Sequence, residues 1–163
     1  MYKQFVRLRA AVLVLLTHSL ALPLLKLIRR PTKFPYTPQS LEALPTGTLG
    51  NDMVHYLRGK KLPLLPYYAR HDMKHILLGY DTTGEGEVCL QCFMLGNGHL
   101  SFPVAATVLY GLATMPEHYD LFKAAWKRGK QCKPLESINW MALPPLNTQQ
   151  LIQTINAHEA IIV

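Results

Sequence analysis

Apolar residues recur along this chain mostly at spacings of three and four, and no clear alternating run of β-branched residues appears. That periodicity is typical of amphipathic helices rather than of strands. The sequence therefore predicts an all-α fold. A chain of 163 residues is long enough for one domain with a core and short for two, so we expect a single-domain helical bundle.

Proline, glycine and capping residues set the predicted helix boundaries. Thr114, with Glu117 three residues later, predicts a capping box at the start of the sixth helix, which would end before Gly129. Gly59 and Gly79 are predicted stops of two earlier helices. The predicted helices cover about 38–44, 48–58, 66–79, 84–96, 100–113, 115–128 and 147–157.

The N-terminal region concentrates the charge of the chain, since residues 1–30 carry +6 of the net charge of +7. These bases flank the apolar run "AAVLVLLTHSLALPLL", which favours a membrane surface over nucleic acid as the partner. The run is short for a spanning helix, and its Ser19-Leu20-Ala21 also fits a signal-peptide cleavage site. We favour a helix that lies on a membrane or packs on the domain, and we divide the chain into 1–30 and 31–163.

Three cysteines, Cys89, Cys92 and Cys132, are an odd number in a chain that needs no disulfides, which indicates a reducing compartment. Cys89 and Cys92 form a Cys-x-x-Cys pair without a second pair, in an apolar helix. We interpret them as buried structural residues. The basic stretch "AAWKRGKQCK" fits a phosphate-binding strip or a solvated helix end.

The strongest chemical signal is a cluster of four polar residues in "RHDMKHILLGYDTTGEGE". His71 and His75 are four apart on one predicted helix, so both imidazoles can reach the same ion. Asp72 lies at the edge of that face, either as a third ligand or as an acceptor for an imidazole N–H. Glu87 follows on the next helix, beyond a glycine-containing turn.

Antiparallel helices with a His-x-x-x-His face opposite an inward glutamate form a known type of metal site in helical bundles. Imidazole and carboxylate ligands suit a divalent metal, with Zn²⁺ as the first choice and Fe²⁺ or Mn²⁺ as alternatives. The remaining histidines have no partner at ligand spacing and are interpreted as surface or core residues: His18, His55, His99, His118 and His158.

Two hydrolase interpretations of the same residues are weaker. "HDMKH" is a zinc-peptidase pattern with Asp in place of the general base, and the shorter side chain would draw the base away from a metal-bound water. A phosphohydrolase built on an adjacent His-Asp pair needs a second, distant pair, for which only His118 and Asp120 are available.

The pattern His-Asp-x-x-His, eleven residues and Glu resembles the metal-binding signature of the fourth protein of the coenzyme Q biosynthesis series. "LPTGTLGNDMVHYL", "GEVCLQCF" and "AWKRGKQCKPLESINW" resemble further segments of that family in the same order. The resemblance implies an all-α fold with an apolar channel for a polyprenyl chain, and it implies that His71, Asp72, His75 and Glu87 hold the metal and carry the chemistry.

The resemblance also implies the function. In the family, the ion is linked to removal of the C1 carboxyl of a polyprenyl-benzoate precursor and its replacement by a hydroxyl. We therefore expect a metal-dependent decarboxylase, or alternatively a non-catalytic isoprenoid-binding scaffold with a structural metal. The implied partners are the quinone precursor or another isoprenoid lipid, other quinone-biosynthesis proteins and a membrane surface, and a homodimer is left open.

Mitochondrial members of that family carry an Arg- and Ser-rich transit segment, and here an apolar segment stands in that place. We accordingly expect a cytoplasmic protein held peripherally at the inner face of the membrane.

Overall fold

A computed structural model describes residues 33–159 of the chain together with Arg9, Val12 and Ile161. The α-helices in these residues are α1 (Pro38–Glu42), α2 (Leu49–Gly59), α3 (Ala69–Leu78), α4 (Gly84–Gly96), α5 (Phe102–Thr114), α6 (Tyr119–Gln131) and α7 (Thr148–Asn156). Three short 3-10 helices, Pro116–His118, Leu135–Ser137 and Trp140–Ala142, also lie within residues 33–159. The described part of the chain contains no strand, and the prediction of an all-α, single-domain fold is confirmed.

Capping residues account for most of the observed boundaries. Thr37 caps α1, Thr83 caps α4 and Asn147 caps α7, each by accepting a backbone N–H with its side chain. Gly79, with φ of +73°, ends α3 in the left-handed conformation that glycine tolerates best. The helix predicted to begin at Pro66 starts three residues later, because Leu65 to Tyr68 form a turn closed by the Tyr68 N–H.

The predicted capping box at Thr114 is wrong. Thr114 is the last residue of α5, and its hydroxyl donates to the carbonyl of Tyr110 one turn earlier. Glu117 lies in the 3-10 helix and pairs with Arg9. Gly129 does not end α6 either, because it lies inside the helix and its missing side chain serves close packing.

The helices belong to two compact units of the fold. The unit that contains α4, α5 and α6 is built around α4, most of whose residues are buried. Glycines let its helices approach closely, since a Cβ on Gly129 would lie 2.1 Å from the Phe93 carbonyl oxygen and one on Gly96 would lie 2.2 Å from that of Trp126. A Cβ on Gly111 of α5 would likewise meet the Val88 side chain at 2.4 Å.

The other unit contains α1, α2, α3 and α7. The segment before α2 meets the segment before α7 at the isolated bridge between Thr48 and Asn147. A Cβ on Gly50, the second residue of α2, would lie 2.6 Å from the Leu44 side chain, so a larger residue there would displace it. The core of this unit is largely aliphatic, with Phe34 and Trp140 as buried aromatics, and includes Leu41, Leu49, Met53, Met73, Leu77, Leu143 and Leu151.

The predicted N-terminal helix and the 1–30 division lie outside the described residues, apart from Arg9 and Val12. Arg9 is buried, donates from Nη1 to the carbonyl oxygen of Thr114 at 2.8 Å and forms an ion pair with Glu117. The Tyr110 hydroxyl donates to the Arg9 carbonyl oxygen at 2.8 Å. None of the helices in the described ranges is both long and apolar enough to cross a membrane.

Candidate metal centre

His71 and His75 lie one turn apart on α3, as their spacing predicts. Their ring centroids are 4.6 Å apart, with an angle of 63° between the ring planes. His75 is 2% exposed, whereas His71 is only partly buried. The helix therefore presents two imidazoles side by side, with His75 buried and His71 nearer to solvent.

Each end of α3 has a residue in contact with one of the two histidines. Gly79 donates its N–H to the carbonyl oxygen of His75 and turns the chain out of the helix directly after the last buried leucine. At the other end, the ring centroid of Tyr68, the N-cap residue, lies 4.6 Å from that of His71. The histidine pair thus lies between the glycine that ends α3 and an aromatic ring at the start of the helix.

Glu87 lies in the first turn of α4 and is 5% exposed. Its N–H donates to the carbonyl oxygen of Thr83, whose hydroxyl accepts the Gly86 N–H at 3.2 Å. A Cβ on Gly86 would lie 2.1 Å from the carbonyl oxygen of Asp81, so only glycine fits before Glu87. These local contacts set the direction from which the Glu87 carboxylate leaves the helix.

His71, His75 and Glu87 form a group that could hold a metal ion. Each residue offers one ligand atom, and the three atoms all lie within 4.8 Å of one another. Among the histidine, cysteine and acidic side chains of the described residues, these three meet that distance criterion. They are three of the four predicted ligands. Their assignment as metal ligands stays a prediction.

Asp72, the fourth predicted ligand, is not part of that group. Its Oδ1 lies 4.0 Å from Nδ1 of His71, and its side chain is largely buried. A distance of 4.0 Å is too long for a direct hydrogen bond. Both roles open to Asp72, direct ligation and orientation of the His71 imidazole, therefore stay predictions.

The donor set fits a divalent transition metal. Two imidazole nitrogens and one carboxylate oxygen are the ligands of many zinc sites that keep a further position open, and of non-haem iron sites. The three side chains thus make a divalent cation a suitable occupant of the group, without fixing which metal it is.

A cation-rich cluster on the same helix was not predicted from the sequence. The Arg70 guanidinium lies 5.5 Å and the Lys74 amino group 5.6 Å from the ring centroid of Trp140, which is buried. Burial, together with a smaller contribution from the nearby Arg70, lowers the pKa of Lys74 to about 7, and Glu136 partly opposes both. The spacing of Arg70 and Lys74, one turn apart, was available as a signal, but Trp140 is 66 residues away from Lys74 in the sequence.

The cysteines are buried and free of disulfide bonds. Burial is the main cause that raises the pKa of Cys89 to about 11 and that of Cys92 to about 12. Thiolate is the reactive form of cysteine, so both residues are inert thiols at neutral pH. This agrees with their interpretation as structural residues.

The other histidines singled out in the sequence are not members of the metal-binding group, as far as the described residues extend. Neither His118 nor Asp120 belongs to it, so the phosphohydrolase interpretation gains no support. His55 is exposed on α2, and His158 is exposed near the C-terminus. His18 lies outside the described residues.

Comparison with known proteins supplies the family. The family model described as "Coenzyme Q (ubiquinone) biosynthesis protein Coq4" matches residues 65–160, which is more than half of the chain. The chain belongs to the Coq4 family. The matched residues include all four predicted site residues and the helices from α3 to α7.

A crystal structure of a provisionally assigned ubiquinone biosynthesis protein from Nostoc punctiforme has the same fold as this Coq4 family member. The TM-score is 0.59 at 18% sequence identity, over 96% of this chain and 83% of the Nostoc chain. At that identity the likeness concerns the fold alone. No curated protein matches the chain.

Proposed function

We propose that this Coq4 family member binds a divalent metal through His71, His75 and Glu87 and promotes a step of ubiquinone biosynthesis. The step is the replacement of the C1 carboxyl of a polyprenylated benzoate by a hydroxyl. The observation that carries the proposal is the approach of two imidazoles and a carboxylate to within 4.8 Å in a chain of this family.

Each residue has a separate role in the proposed site. His71, His75 and Glu87 supply the ligand atoms, and Asp72 positions the His71 ring. When bound, the metal would supply a positive charge that polarises the substrate carboxylate and steadies the phenol oxygen. The polyprenyl chain would be bound by an apolar channel, which the family resemblance implies and which stays a prediction.

The overall reaction limits the choice of metal. In the overall balance the bond between C1 and the carboxyl carbon breaks, CO₂ leaves, water supplies the oxygen of the new hydroxyl, and O₂ takes up two electrons and leaves as hydrogen peroxide. The ring carbon thereby loses two electrons to the oxidant. Zn²⁺ has no redox chemistry, so it could only act as a Lewis acid here, whereas Fe²⁺ or Mn²⁺ could also exchange electrons.

The second candidate function is a non-catalytic scaffold that binds an isoprenoid lipid and other proteins of quinone biosynthesis, with a structural metal. The burial of His75 and Glu87 favours it, because structural sites are closed and their binding energy contributes to folding. Under either function we expect the chain to work in the cytoplasm, at the inner face of the membrane.

The variant His75→Ala separates the two functions, and His55→Ala, an exposed histidine on α2, is the matched control. For both full-length variants we would measure bound metal by elemental analysis, the melting temperature, and turnover of a polyprenyl-benzoate. The enzyme predicts a folded His75→Ala protein without metal or turnover. The scaffold predicts an unfolded one.

Two results would contradict the proposal. Retention of a full complement of metal by His75→Ala would remove that residue from the site. Wild-type protein that holds metal but converts none of a series of prenylated benzoates under O₂ would count against the enzyme and leave the scaffold.

A further inference from the structure

Helix α5 exposes an apolar face. Phe102 is 76% exposed and Leu109 is 67% exposed. The exposed Ala106 lies between them and the exposed Ala113 follows Leu109, at spacings of three and four residues. These four residues, with the half-exposed Leu112 at their edge, are called the α5 face below. The helix contains no charged residue, and Leu100, just before it, is 74% exposed.

An apolar face of this kind is not needed for the packing of α5. The opposite side of the helix, with Val104, Thr107, Val108 and Gly111, is the buried one. Single exposed apolar residues are ordinary, but several along one helix face indicate contact with a partner or a membrane.

The start of α6 adjoins the edge of the α5 face. The Tyr119 hydroxyl donates to the carbonyl oxygen of Leu112 at 2.6 Å. From Tyr119, spacings of four, three and four lead along one side of α6 to Lys123, Trp126 and Lys130. The Lys130 amino group lies 4.7 Å from the centroid of the Trp126 ring.

This side of α6 combines exposed lysines with exposed amphipathic aromatics. Tyrosine and tryptophan are enriched where an apolar phase meets water, and long lysine side chains keep their charge at the headgroup level. The surface thus changes from purely apolar on α5 to aromatic and cationic on α6.

We propose that the α5 face docks on an anionic lipid bilayer, with Phe102 and Leu109 in the acyl region and Lys123 and Lys130 at the phosphates. This inference rests on the proposed peripheral association and names the face responsible. A second copy of the chain fits less well, because lysine is depleted in protein interfaces and two copies would bring like charges together. Nucleic acid would leave the α5 face uncovered.

The test is flotation of the full-length protein with phosphatidylcholine vesicles, with and without phosphatidylglycerol. Wild-type protein should float with the anionic vesicles, and Leu109→Glu should bind them about 10- to 100-fold more weakly, as expected for losing one buried leucine. The control is Leu62→Glu, a partly exposed apolar position outside α5, which should bind like wild type. All these proteins share the same N-terminal sequence, so its contribution cancels.

A second variant tests the charge. The double change Lys123→Gln and Lys130→Gln should weaken the preference for phosphatidylglycerol, and salt should weaken it in the wild type. Folding of every variant would be checked by circular dichroism and thermal melting.

The proposal is overturned if Leu109→Glu floats as well as wild type, or if wild type binds neutral vesicles equally well. A wild-type dimer that binds no vesicles and becomes monomeric with Leu109→Glu would assign the α5 face to a second copy instead. Measuring bound metal on the same samples distinguishes a failure of the proposed metal-dependent function from a failure of the proposed membrane docking. Leu109→Glu should retain it, and His75→Ala should lose it while still floating.

Discussion

The candidate metal centre hides polar side chains, whereas the α5 face leaves large apolar ones in solvent. His75 and Glu87 are almost completely buried, and Phe102 and Leu109 are mostly exposed. Folding stability alone would reverse both arrangements, because it favours apolar burial and opposes burial of ionisable groups. These two regions are therefore the ones for which we propose binding roles.

The contrast between buried and exposed apolar residues also separates helices α4 and α5, which are both 13 residues long. Both are rich in apolar residues, but α4 is buried over most of its surface and α5 over one side only. Apolar content therefore does not tell which of the two is central. The difference arises from the glycines and small side chains that bring α5 and α6 against α4.

The largest expected effect comes from comparing two phenylalanines in these helices. Phe93→Ala on α4 should lower the free energy of unfolding by about 3–5 kcal/mol, because its fully buried ring would leave a cavity. Phe102→Ala on α5 should change it by no more than about 0.5 kcal/mol, because its ring is in solvent. Urea denaturation of both variants measures this, and an equally large loss for Phe102→Ala would mean that the α5 face is covered in the folded protein.

Glu87→Gln should weaken metal binding strongly while leaving the shape of the side chain unchanged. Loss of a direct ligand should exceed the roughly 10- to 100-fold weakening typical of residues that only orient a ligand. Glu85→Gln is the control, since Glu85 lies in the same first turn of α4 and is not part of the group. Metal titration of the apo-proteins gives the affinities, and equal affinities for the two variants would exclude Glu87 as a ligand.

Asp72→Asn should have a smaller effect on the same measurement. If Asp72 orients the His71 imidazole, its loss should weaken metal binding by roughly 10- to 100-fold without removing it. Asp120→Asn on α6 provides an exposed control that also tests the phosphohydrolase interpretation. A loss as large as that of Glu87→Gln would instead make Asp72 a direct ligand.

Much of the fold and most of the site were predictable because their signals are local. The i, i+4 spacing of His71 and His75 fixes their relation on any helix, and Gly79 and Thr83 mark the end of α3 and the start of α4. The approach of Glu87 to the two histidines was predicted from the length of the segment between His75 and Glu87. These inferences need only helix geometry and capping chemistry.

The features that were missed depend on contacts between residues far apart in sequence. Thr114 and Glu117 have the spacing of a capping box, but Arg9, more than 100 residues earlier, takes Glu117 as its partner. Gly129 has the sequence context of a helix stop, but the backbone of Phe93 requires a glycine inside α6. The exposure of Phe102 depends on which side of α5 packs against α4, and periodicity alone does not give that side in so apolar a helix.

The smallest expected effect concerns Arg9, which contacts the end of α5. Like His75 and Glu87, and unlike the residues of the α5 face, Arg9 is a polar side chain that is buried. Its hydrogen bond lowers the pKa of Glu117 from 4.5 to about 2. Because the folded-state pKa lies below the ordinary value, the stabilisation is complete above pH 4.5 and disappears as the pH falls from 4.5 towards 2. Glu117→Gln should therefore melt below wild type at pH 7, and the difference should shrink in that window.

Glu42→Gln is the matched control for this experiment. Glu42 pairs with Arg58 at 2.9 Å, but both side chains are well exposed, so its removal should hardly change the melting temperature at any pH. If Glu117→Gln behaved like Glu42→Gln, the Arg9 pair would be an ordinary surface contact. A difference confined to Glu117 would show that the pair with the buried Arg9 stabilises the flank of α5.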